Sequence, residues 1–214
     1  MFISAFWLAL SAMVVPSVKD AADFFAVKMD LEQLWHHGGQ IAATVNLWIE
    51  PNSQVIKCSV GRFLGDEATA KSFCSLFLGR RVTFPRDSQG QKTYAFLSVP
   101  VFADVRGSDG DFKKLIQQFE HLPIAGDADA EIAVPDVSVP AGKILGFNVD
   151  YGIEVEVAPD GSVTDCQKRD RTPQDIAKRA CNLAKAKVFM IRYSTLQQPV
   201  SYVRNVRIVP QASK

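Results

Sequence analysis

Apolar and polar residues alternate from Thr44 to Val60, with one interruption at Pro51-Asn52-Ser53. The period-2 rule puts Val45, Leu47 and Ile49 on one face of a strand and Asn46, Trp48 and Glu50 on the other. After the turn the alternation resumes, and Ile56, Cys58 and Val60 are expected to share the face that a covering helix buries. That helix is expected over Asp66–Arg80, where Phe73, Leu76 and Phe77 recur at helical spacing. An aromatic and basic stretch, Arg80 to Pro85, then leads into a last strand, Thr93–Phe102. The unit thus reads strand, strand, helix, strand, and its hairpin calls for a left-handed residue near Asn52.

The same pattern returns 108 positions later, from Gly152 to Cys166. Ile153, Val155 and Val157 form the apolar face, and Pro159-Asp160-Gly161 is the turn. A helix is expected over Pro173–Lys187, with Ile176, Ala180, Leu183 and Ala184 facing inward, Thr172 as N-cap and Asp175 near the positive end of the dipole. The last strand, Val200–Val209, is β-branched except where Tyr202, Arg204 and Arg207 interrupt it. The expected fold class is α+β: two modules, each a small antiparallel β-β-α-β sheet covered by one helix. Module 1 spans 23–104 and module 2 spans 145–210; between them, 105–144 is a linker with a short helix at 112–119 and an acidic, Ala-, Pro- and Val-rich run at 127–140.

Met1 to Val15 is apolar and stops at Pro16, which is short for a membrane span of about 20 residues. It fits a signal peptide over 1–22 with small residues at Val15-Pro16-Ser17, although no Lys or Arg precedes it; an uncleaved anchor or a buried helix is the alternative. The four cysteines, Cys58, Cys74, Cys166 and Cys181, contain no CxxC pair and fall into two pairs of similar spacing. In an exported chain they are expected to form Cys58–Cys74 and Cys166–Cys181 bridges, each pinning a second strand to its helix. The alternative is a pair of free core thiols in each half.

Charge narrows the partners. Lys and Arg total 24 against 23 Asp and Glu, so no global field favours nucleic acid or anionic lipid. A local cluster, Lys168-Arg169-Asp170-Arg171 with Lys178, Arg179, Lys185 and Lys187, is either a solvated helix face or an anion or lipid-headgroup site. The histidines, His36, His37 and His121, have no acidic partner at ligand spacing, and no GxSxG, Walker or GxGxxG motif occurs, so no metal, cofactor, small-molecule substrate or catalytic residue is expected. Trp48, on the outer strand face, either packs on the linker or the other module or anchors a ligand.

The order of these elements resembles the C-terminal domain of TonB-type energy transducers. That family runs from a short helix ending near glycine, through a hairpin, a helix and a Phe-Pro element, to a last strand. Leu31–Gly39, Val45–Ile49, Pro51–Gln54, Val55–Val60, Phe73–Phe77, Phe84-Pro85 and Gly90–Val101 follow that order, and 155–209 follows it more loosely. Some members also carry one cysteine after the hairpin and one in the helix. The resemblance covers about two-thirds of the chain, with motifs of modest specificity. It implies a periplasmic protein that takes an extended segment of an envelope protein, such as an outer-membrane transporter, onto a sheet edge. The docking edges would be the last strands, with Thr93, Tyr94, Phe96, Tyr202, Arg204 and Arg207 as partner-binding residues. The alternative is that these edges pair with each other or in a homodimer. Force transduction is not expected: the only hydrophobic segment is short, the acidic linker is too short to cross a periplasm, and Val27 to Trp35 lacks the family's Tyr-Pro. If the N-terminal segment is not cleaved, the protein is tethered to a membrane.

Overall fold

The structure is a computed structural model that describes residues 13, 40–104, 127, 129–135, 137, 143–144, 147–148, 151–169 and 171–211. The expected signal peptide apart from Met13, the helix at 31–39, the three histidines and the short helix at 112–119 lie outside these residues. The described elements are β1 (Gln40–Ile49), β2 (Val55–Leu64), α1 (Glu67–Phe77), β3 (Tyr94–Asp104), β4 (Glu131–Pro135), β5 (Lys143–Ile144), β6 (Phe147–Asn148), β7 (Gly152–Val157), β8 (Val163–Lys168), α2 (Gln174–Lys185), β9 (Arg192–Tyr193), β10 (Pro199–Val200) and β11 (Tyr202–Gln211). Among the described residues the chain is α+β, mostly sheet with two helices.

The two hairpins are built alike. Asn52 Oδ1 accepts from the Gln54 amide and Asp160 Oδ1 from the Ser162 amide, 108 positions on. The left-handed residue is Ser53 (φ 73°) in one turn and Gly161 (φ 86°) in the other, one place beyond the expected Asn52. In each hairpin the register shifts at matched positions, between Trp48 and Ile49 and between Glu156 and Val157. This irregularity corrects one expected face. Cys58 and Val60 do pack under α1, but Ile56 is itself the extra residue, unpaired between Val55 and Lys57, and is turned to the other side of the sheet.

Asp66 caps α1 by accepting from the Thr69 amide and hydroxyl at 2.7 and 2.8 Å. The expected Thr172 cap of α2 is not made; the buried Thr172 hydroxyl instead accepts from the Gly152 amide at 2.9 Å and donates to its carbonyl at 2.8 Å. That places a strand end's backbone groups ahead of a helix end's, because the strand end is out of water. Leu183, expected inside, is exposed, and Ala177 takes its place in the core.

The halves do not form two separate sheets. One seven-stranded sheet runs β2-β1-β3-β11-β7-β8, with β4 also paired to β11. Every pairing in it is antiparallel except two made by β11, which lies parallel to β3 through Tyr202 opposite Tyr94, Val203 opposite Ala95 and Arg204 opposite Phe96, and parallel to β4 from Arg207 to Gln211. The expected linker therefore supplies a sheet strand.

α1 packs with Val45, Leu47, Ile49, Ala95, Leu97 and Val203, whereas α2 packs with Ile153, Val155, Val157, Tyr202 and Val206. These sets alternate along β11, so the two helices cover opposite faces of the one sheet. A half-turn about a line along the strands between β3 and β11 relates the halves: it reverses strand order, keeps strand direction and exchanges the faces. Measured against the first strand of its own half, β11 matches β3 at a shift of 107. Across the seam, however, residues pair at a shift of 108. The offset of one is required, because the half-turn points matched side chains to opposite faces, whereas neighbours in a ladder point the same way.

Candidate functional site

Trp48, Phe96, Arg204 and Val155 form one row across β1, β3, β11 and β7, on the face covered by α2. Around that row the aromatic rings interlock. Trp48 stacks on Tyr94 at 5.3 Å and meets Tyr202 edge-on at 5.8 Å, and Phe96 lies 6.5 Å from Trp48. Trp48 thus packs on the other half of the molecule, one of the placements its position on the outer face allowed.

Arg204 is 1% exposed in the middle of this apolar row, and its charge is met from the acidic run between the halves. Its Nη1 and Nη2 donate to Asp127 Oδ1 and Oδ2 at 3.1 and 2.8 Å, and Nη1 stands 3.9 Å from Asp129 Oδ2. The Ser98 hydroxyl, 2.9 Å from Asp127 Oδ2 and 2.8 Å from Asn46 Oδ1, carries the network to β3 and β1. Asp129 also binds Lys187 at 3.0 Å and accepts from the Met190 amide at 2.6 Å. The Arg192 guanidinium lies 3.8 Å over the Phe96 ring.

Burial pushes the Asp127 carboxyl up, but Arg204, through charge and hydrogen bonds, with Ser98 and Arg192, more than offsets this and holds it below the ordinary carboxylate range. Burial also pushes the Tyr202 phenol up against the pull of Arg204 and Arg192, so it stays neutral and donates to the Met190 carbonyl at 2.8 Å. With its oxygens bound by fixed donors, the Asp127 carboxylate acts here as a counter-charge that locks the seam.

The expected partner-binding residues are placed accordingly. Thr93 donates across the seam to the Ser201 carbonyl at 3.2 Å; Tyr94, Phe96, Tyr202 and Arg204 are in the seam itself; and Arg207 faces Glu131 at 3.4 Å. The expected docking edges are therefore not free at 94–96 and 202–207, since each is closed by another strand of the same chain. Of the arrangements open at the sequence level, pairing of the two last strands with each other is the one found. Sequence reasoning did not single out Asp127 and Asp129, although an arginine in a β-branched strand calls for a buried acid, and 127–131 is where the chain offers one.

The outer strands of the sheet are β2 and β8. The start of β2 is sealed by the loop after α1, through Val55 amide to Arg80 carbonyl and Gly79 amide to Val55 carbonyl, both 2.9 Å. No described strand pairs with the outer side of the rest of β2 or of β8. Each outer strand is tied to its helix: Cys58 and Cys74 have Sγ atoms 2.04 Å apart, and Cys166 and Cys181 form the matching pair. Among the described residues no group of three His, Cys, Asp or Glu stands close enough to hold a metal ion, and no helix is long and apolar enough to cross a membrane. Comparison with protein-family models, with curated proteins and with solved structures returns no match for this chain.

Proposed function

We propose that the chain is an exported, periplasmic protein-interaction molecule that takes an extended segment of an envelope protein onto the outer edge of β2. The observation that carries the reading is the closure of β3 on β11. It consumes both last strands and leaves β2, beyond its sealed start, as the longer outer strand among the described residues, its ten residues standing against six in β8. A long uncovered edge is a template for a further strand, and proteins that do not use one keep it short or covered. The disulfide between Cys58 and Cys74 holds this edge against α1, which lowers the ordering cost of docking. Two disulfides fit an oxidising compartment, and the TonB-like order of elements supports docking at a sheet edge, with no part in energy transduction.

A photo-reactive residue placed at Lys57 or Ser59, both exposed on β2, tests this in cells. An adduct with another envelope protein, absent when the residue is placed at Thr164 on β8, is the expected result. Adducts only between two copies of the chain would support homodimeric assembly instead, and no adduct at all would sink both.

A further inference from the structure

We infer that the loop and hairpin after α2 dock on the surface of an anionic phospholipid bilayer. Between Lys187 and Val200 the chain exposes Val188, Met190, Ile191, Tyr193 and Leu196, with Val188 at 74% and Leu196, in the β9–β10 turn, at 79%. Single exposed apolar residues are ordinary, but five within nine positions concentrate exposed apolar surface in one segment. The segment is held in this state. Phe189, 1% exposed, plugs the core between the flanking side chains, and its amide donates to the Gly161 carbonyl at 2.8 Å. The Met190 amide is fixed by Asp129 and its carbonyl by the Tyr202 hydroxyl. The turn at 194–198 is closed by amides donating to the Ser194 hydroxyl oxygen and by the Ser194 amide donating to the Gln198 carbonyl. An apolar tip that is already ordered pays little conformational entropy when it enters a bilayer interface.

Charge selects the occupant. Residues 176–214 contain eight Lys and Arg and no Asp or Glu, although the whole chain is nearly neutral. Some of these cations serve the seam, and Arg179 donates to the Pro135 carbonyl of β4, but Lys178 and Lys185 stand exposed on α2, whose last turn also exposes Leu183 and leads directly into the loop. Aliphatic side chains and a tyrosine exposed along the loop and hairpin after α2, beside lysine and arginine and with no carboxylate in the segment's own sequence, match the layering of acyl chain below phosphate headgroup. The local basic cluster visible in the sequence thereby acquires its apolar counterpart.

The test uses the full chain in flotation with vesicles of neutral phosphatidylcholine and of phosphatidylcholine with phosphatidylglycerol. Binding to the anionic vesicles is expected, weakening several-fold between about 0.05 M and about 0.5 M salt. The paired change Val188→Asp with Leu196→Asp, and separately Lys178→Glu with Lys185→Glu, are expected to lower anionic-vesicle binding about tenfold. All four positions are on the surface, and an unchanged melting temperature confirms folding. Equal binding by wild type and both variants would assign any vesicle affinity to the apolar N-terminal segment and overturn the inference. So would a wild type that ignores anionic vesicles, or a loop change that abolishes capture of a protein partner while vesicle binding persists.

Discussion

The Arg204 guanidinium grips the Asp127 carboxylate with two hydrogen bonds, at 3.1 and 2.8 Å, and both side chains are almost wholly out of water. Arg204 lies on the strand that closes the sheet, and Asp127 lies between the two halves, so the pair ties together segments 77 positions apart. Arg204→Met leaves a buried carboxylate and Asp127→Ala leaves a buried guanidinium; each is expected to cost about 3–5 kcal/mol. The double variant is expected to cost clearly less than the sum, because no charge is then stranded. Urea unfolding of the four proteins measures this, and additive losses would show that the pair is not the unit that locks the seam.

Acid is expected to undo the same lock. The folded-state pKa of Asp127 lies below its ordinary value of 3.8. Its contribution to stability is therefore complete above 3.8 and is lost as pH falls from there through the lower folded value. Melting temperatures measured across that window should drop more steeply for the wild type than for Asp127→Asn, which has no proton to take up. A wild type and variant with parallel pH profiles would remove Asp127 as the cause.

Those residues also mark where sequence reading stops. The hairpins, both helices and both cysteine pairs are written locally: period-2 faces at Val45, Leu47 and Ile49 and at Ile153, Val155 and Val157, helical spacing of Phe73 with Phe77 and of Ile176 with Ala180, and matched spacing of Cys58 with Cys74 and Cys166 with Cys181. The seam is not. Pairing Tyr94 with Tyr202 joins two strand edges more than a hundred residues apart, which no local pattern encodes. Ile56 departs from its expected face for a smaller reason, since a single extra residue in a ladder reverses the alternation beyond it without changing composition. The expected docking residues lie on edges that are free only when each half is taken alone.

The sulfur bridges are expected to act within each half. Alkylation of the folded protein should label no thiol before reduction and all four cysteines afterwards, with peptide mapping recovering Cys58 linked to Cys74 and Cys166 to Cys181. Paired Cys→Ser replacement of either bridge is expected to lower stability by about 3 kcal/mol, given closed loops of about 15 residues. Thiols that label freely in the folded protein, or bridges joining one half to the other, would contradict the arrangement.

Gly161 occupies a position that tolerates nothing larger. Its φ of 86° disfavours any L side chain, and a Cβ there would run into the Phe189 carbonyl oxygen, with the Val188 side chain 3.0 Å away. The matched Ser53 keeps a similar φ of 73° and likewise bonds the returning loop, its carbonyl accepting from the Val82 amide at 3.0 Å. The backbone arrangement is therefore common to both turns, and the space for a side chain is what differs. Gly161→Ala is expected to destabilise by about 2 kcal/mol, combining left-handed strain with displacement of the Phe189 segment. Ser53→Gly, which relieves the same strain, is expected to be neutral or slightly stabilising. Because Phe189 anchors the exposed apolar tip, Gly161→Ala should also speed amide exchange from Val188 to Ile191 while leaving Val82 protected. Uniform loss of protection across both turns would show that the substitution acts on global stability alone.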